Sequence, residues 1–169
     1  LGDRLGPILI QLGPDFSPQE NGALLGFLDL LPSDQRFAVE FRQSEWINGE
    51  MHRELAARRV AICLSEGQWL PRKWVLALAH RPTADFHYIR WMGADRSITD
   101  FSRVQIEREE ELAEWAAELK DPGESVTDVF GYFNNYYAGH APASARTLQR
   151  LLGQRPVEPG EVGEQTSLF

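Results

Sequence analysis

Phe37-Ala38-Val39-Glu40-Phe41-Arg42 reads as a β-strand with two unlike faces. Its period of two sends Phe37, Val39 and Phe41 to one side and Ala38, Glu40 and Arg42 to the other. The aromatic side suits a layer of helices, and the small and charged side suits the inside of a barrel. Parallel strands covered on both faces normally read as continuous apolar runs, so Glu40 and Arg42 need a reason to be there.

The same unit recurs on both sides of this strand. Upstream, Pro7 to Leu12 forms a short strand closed by Gly13-Pro14. Ser17-Pro18-Gln19-Glu20 then starts a helix, with Ser17 as N-cap, Pro18 at the first helical position and Glu20 completing a capping box. Leu24, Phe27, Leu28 and Leu31 give that helix one apolar face, and Pro32 stops it. Downstream, Gly49 to Arg59 is a helix, Val60 to Leu64 a strand, Arg72 to Ala79 a short helix and Phe86 to Trp91 the fourth strand. Ser102 with Gln105 caps a long helix whose inner stripe is Leu112, Trp115, Ala116 and Leu119. Val126 to Phe133 is the fifth strand, and Pro142 to Leu152 a last helix with Gly153 as its C-terminal cap. Five strands alternating with helices mean parallel βα units. In such sheets ligands bind at the C-terminal strand ends, where Gln11, Glu40, Arg42, Arg90 and Asn134 fall.

Composition narrows the classes. A chain of 169 residues with 43% hydrophobic content buries one core, not two. The net charge of -8, from 25 acidic and 17 basic residues, gives no reason to expect direct, sequence-independent nucleic-acid binding. Cys63, the single cysteine, lies in the apolar run Val60 to Leu64 and reads as a buried hydrophobe. No disulfide within the chain is then available, and a reducing, cytoplasmic compartment fits. No run is long and apolar enough to span a membrane, and the start lacks a signal-peptide pattern. Leu1 directly precedes a strand pattern without an initiator Met, so an upstream portion is expected to be missing.

Four stretches in order carry a family resemblance: Leu5 to Leu12; Ala38 to Arg42 with Ser44 and Trp46; Tyr88-Ile89-Arg90 before Gly93; and Phe133-Asn134-Asn135 with Gly139-His140-Ala141. Together they resemble the YecE-like family, domain of unknown function 72, across Leu1 to Leu152. The resemblance implies a TIM barrel and no established activity. Two positions depart from the family, which often has a histidine where this chain has Met92 and another where it has Tyr136. The family pattern begins with about three further strands, and a TIM barrel typically takes roughly 250 residues. By that reading residues 1–153 are the C-terminal portion of the barrel, its fourth to eighth strands. Such a portion alone is expected to be marginal or to aggregate unless it dimerises or receives the missing strands.

The candidate site has two readings throughout. Glu40 and Arg42, one residue apart on one face, form either a buried pair that fixes packing or part of a site. In the second case Glu40 is the general acid or base or a metal ligand, and Arg42 and Arg90 hold a carboxylate or phosphate in the guanidinium fork. Asn134 and Asn135 either orient a substrate or satisfy loop backbone, and His140 either joins the site or caps the last helix. His52, His80 and His87 show no metal-ligand spacing, no Cys/His cluster suits zinc, and no Walker loop, dinucleotide fingerprint or nucleophile elbow is present. No cofactor is identified. The function expected on this basis is an enzyme acting on an anionic small molecule or a nucleotide-like substrate at the strand ends. Residues 154–169, rich in Gly, Pro and Glu, read as a disordered tail. The tail ends in Gln165-Thr166-Ser167-Leu168-Phe169, which looks like the pentapeptide that docks bacterial proteins on the DNA-polymerase sliding clamp, with Gln165, Leu168 and Phe169 as anchors. The alternative function is therefore a replication or repair accessory protein; otherwise Leu168 and Phe169 fold back onto the protein's own surface.

Overall fold

The computed structural model describes residues 4–94 and 96–161. Five strands, β1 (Ile8–Gln11), β2 (Phe37–Glu40), β3 (Ala61–Glu66), β4 (Phe86–Trp91) and β5 (Asp128–Phe133), form one sheet in the order in which they occur in the chain. Every neighbouring pair is parallel. The helices are α1 (Asn21–Leu28), α2 (Gly49–Ala57), α3 (Arg72–Ala79), α4 (Glu109–Lys120) and α5 (Ala141–Leu151). The sheet curls into a half-barrel that does not close.

The two faces of β2 are those its alternation demands. Phe37, Val39 and Phe41 pack outward with Leu24, Leu28, Trp46, Met51 and Leu55 under α1 and α2. Ile89 and Trp91 anchor the corresponding layer under α3, α4 and α5. On the concave side Ala38, Ala61, Cys63, Phe86 and Tyr88 make a small inner core, with Leu9 and Phe130 against it. At the N-terminal end of the strands Arg36 pairs with Asp128 at 2.9 Å and lies over the rings of Phe86 and Phe130, capping that core.

β3, the first helix and the long helix are among the elements that differ from their sequence expectation. The strand expected to end at Leu64 runs on through Glu66, which brings Ser65 onto the concave face. The first helix opens with a 3-10 turn (Pro18–Glu20) and ends at Leu28, before Pro32; Ser17 N donates to the Glu20 carboxylate at 2.7 Å, the box expected there. Ser102 does not cap the long helix, which begins at Glu109. Instead Asp100 takes the Ser102 amide at 2.9 Å and its hydroxyl at 2.6 Å, a local side-chain turn that competes with helix initiation. Gly153 does terminate α5: at φ 74° it lets its own N–H reach Arg150 O and that of Gln154 reach Gln149 O, the paired bonds of a Schellman ending. Beyond it a 3-10 turn (Pro159–Glu161) follows, with Glu158 3.7 Å from Arg146 on α5. Gln165, Leu168 and Phe169 lie outside the described residues. Among the described residues no helix is long and apolar enough to cross a membrane.

Candidate functional site

The strand ends place four polar side chains together on the concave face. Gln11 and Glu40 are register partners on β1 and β2, as are Ser65 and Arg90 on β3 and β4. Arg90, whose side chain is largely covered, donates from Nη1 to the Glu40 carboxylate and, at 3.3 Å, to Gln11 Oε1. Ser65 Oγ donates to the other Glu40 oxygen at 3.4 Å. Glu40 is only 2% exposed, and each of its oxygens meets a protein donor. A carboxylate in that position needs such partners, because an uncompensated buried charge costs several kcal/mol, about 3–5 when one member of the pair is removed.

The pairing differs from the one that the sequence suggested. Glu40 meets Arg90, fifty residues away, and not its strand neighbour Arg42. The strand ends at Glu40, and Arg42 lies in the loop beyond it, with its guanidinium 5.3 Å from the ring of Trp69 in the loop after β3. No described carboxylate pairs with Arg42, and its Nε is buried without a hydrogen-bond partner. It is therefore a cation held by stacking and left available for an anion.

Asn134 and Asn135 do what loop amides do. Asn134 Oδ1 accepts from Tyr136 N at 3.0 Å and opens a 3-10 turn; Asn135 Oδ1 accepts from Ala141 N at 2.8 Å at the start of α5. His140 sits at the N-cap position of α5 but makes no side-chain cap; its Nδ1 donates to Phe101 O at 2.9 Å. The two asparagines thus serve the β5–α5 loop and His140 ties it to the loop after β4; none of these bonds reaches the Glu40 cluster. Their effect on the site is to fix the rim. At Gly93, with φ 64°, a Cβ would overlap the Tyr136 carbonyl, and a Cβ at Gly67 would lie 3.2 Å from that of Met92. The loops after β3, β4 and β5 therefore abut.

Sequence reasoning missed Ser65, Trp69 and Tyr132. Ser65 carried a signal, since it continues the inward alternation of Ala61 and Cys63. Tyr132, the register partner of Arg90, is 44% exposed, and its ring stacks on Tyr88 with centroids 4.9 Å apart. Burial, then the neighbouring Tyr132, pushes the Tyr88 phenol up to about 12, so it stays a neutral hydroxyl. Burial first, and then Glu40, raise the Cys63 thiol well above its ordinary range, which removes it as a thiolate nucleophile. Among the described residues no three His, Cys, Asp or Glu side chains cluster as a metal site.

Solved structures share this architecture. A DUF72 family protein from Enterococcus faecalis V583 superposes with a TM-score of 0.71 at 16% identity, covering 89% of this chain and 62% of that one. A DUF72 family protein from Thermotoga maritima MSB8 gives 0.67 at 22% identity, covering 89% and 59%. The chain thus spans about three-fifths of the length of each. Identities this low establish the fold alone. No functionally curated protein matches the chain. The family described as "Protein of unknown function DUF72" matches residues 1–166. With the fold shared and nearly the whole sequence matched, the chain belongs to the DUF72 family.

Proposed function

We propose that the C-terminal strand ends bind an anionic small molecule, with Arg42 as its anchor and Glu40 as the general acid or base beside it. The observation that carries this reading is the asymmetry between the two arginines. Arg90 is spent on neutralising Glu40, whereas Arg42 is stacked, paired with no described carboxylate, and positioned two residues beyond Glu40. A protein that needed these charges only for packing would gain by pairing Arg42 as well, since a buried N–H without a partner costs about 1–3 kcal/mol. An anion would supply Arg42 with the counter-charge that it lacks among the described residues. Glu40, held by Arg90 and Ser65, would exchange a proton with a bound group once the ligand displaces one of those donors. The sliding-clamp reading of Gln165, Leu168 and Phe169 rests on the sequence alone.

Thermal-shift screening of phosphorylated and carboxylate metabolites tests the proposal. At least one anion should raise the melting temperature, and Arg42→Gln should abolish that shift, measured against the variant's own unliganded melt. A shift that survives Arg42→Gln, or no shift from any anion, counts against it.

A further inference from the structure

We infer that the anion carries a planar ring and belongs to the nucleotide class, with its ring on Tyr132 and its phosphate on Arg42. The inference rests on the anion-site reading above and asks what else the same face offers. Tyr132 is a large aromatic ring, 44% exposed, on the concave side of the end strand β5. One face of it is already stacked on Tyr88 at 4.9 Å and 29°, which fixes the ring plane before any ligand arrives. Its register partner is Arg90, so it borders the Glu40 cluster directly.

Arg42, two residues beyond Glu40 in the loop after β2, stacks on Trp69 in the loop after β3. From β2 to β5 is three strand spacings, about 14 Å. A ligand reaching from Arg42 to Tyr132 is an elongated molecule with phosphate at one end and a flat surface at the other. The rim repeats this pairing of chemistries: Arg96 lies 4.5 Å over the ring of Tyr136, which Phe101 meets edge-on at 5.2 Å. Arginines stacked on aromatic rings beside further rings form a surface suited to bases and phosphates together, and an aliphatic phosphate uses only half of it.

Isothermal titration of the full chain with adenosine 5′-monophosphate, ribose 5-phosphate and adenosine separates the contributions. The nucleotide should bind about tenfold or more tighter than the sugar phosphate, the range in which a stacked base contributes. Tyr132→Ala should bring the nucleotide to the level of ribose 5-phosphate, and Tyr132→Phe should restore it; circular dichroism and the melt verify that both variants keep the fold. Equal affinity for the nucleotide and ribose 5-phosphate, both lost in Arg42→Gln, overturns the ring assignment and leaves the anion site standing. Nucleotide binding untouched by Tyr132→Ala likewise overturns it. Failure of all three to bind, when another anion shifts the melt through Arg42, again overturns the nucleotide class alone. Failure of every anion overturns both readings.

Discussion

At the residue scale, what decides the site is which charges are already satisfied. Glu40 announced itself by interrupting an apolar strand, and so did Arg90. Their partnership did not, because nothing in a sequence says which inward residues of β2 and β4 a curled sheet will bring to one level. Arg42 was legible as a site residue but not as an unpaired one; that needed the strand to stop at Glu40 and Trp69 to stack on the guanidinium. The same reasoning applies to His87 on the outer face of β4, 3% exposed, with Nε2 3.3 Å from Pro122 O. Burial holds its pKa below the ordinary value, against the opposing pull of backbone carbonyls at Pro122 and Ala79. The unfolded chain takes up this proton near pH 6.5 and the folded chain only lower, so below that pH the unfolded state binds more protons. The contribution is therefore fully present above about pH 7 and is lost as pH falls toward the folded pKa. Urea melts should show the midpoint falling between about pH 7.5 and 5.5, and less steeply in His87→Gln. Identical slopes for the two proteins would refute this account of His87.

At the element scale, two helix endings share one geometry and differ in residue. Both α2 and α5 close with Schellman bonds: Val60 N to Leu55 O and Arg59 N to Ala56 O in the first, Gln154 N to Gln149 O and Gly153 N to Arg150 O in the second. The left-handed position is Gly153 in α5, as its sequence foretold, but Arg59 in α2, at φ 54°. A side chain there costs roughly 1–2 kcal/mol, partly offset by the greater unfolded-state freedom of glycine. Arg59→Gly should accordingly raise unfolding stability by about 0.5–1 kcal/mol, and Arg59→Val should lower it. Chemical denaturation of the three proteins checks this; a loss of stability in Arg59→Gly would mean that the arginine side chain contributes more than the backbone strain costs. Local signals of this kind served well for α5 and for the Ser17 turn. They failed at Ser102, where Asp100, a residue just as local, offered the serine a better partner than the helix did.

At the scale of the whole molecule, the βα alternation made the parallel sheet and its outer helix layer legible, and the period of β2 placed Phe37, Val39 and Phe41 outward. The curl was legible only through the small and charged inward face of β2. What the alternation leaves open is closure: Ile8 on β1 and Val129 and Tyr132 on β5 are exposed at the two end strands, and the matched relatives extend well past the length of this chain. The curl carries Glu40 and Arg90 from strands two apart in the sheet into one largely buried contact. A double-mutant cycle on urea stability with Glu40→Gln, Arg90→Gln and the double variant measures that contact directly. The expected coupling is about 1 kcal/mol or more, with the double variant more stable than the sum of the two single losses implies. Additivity within about 0.3–0.5 kcal/mol would contradict it, and with it the concave cluster on which the proposed site is built.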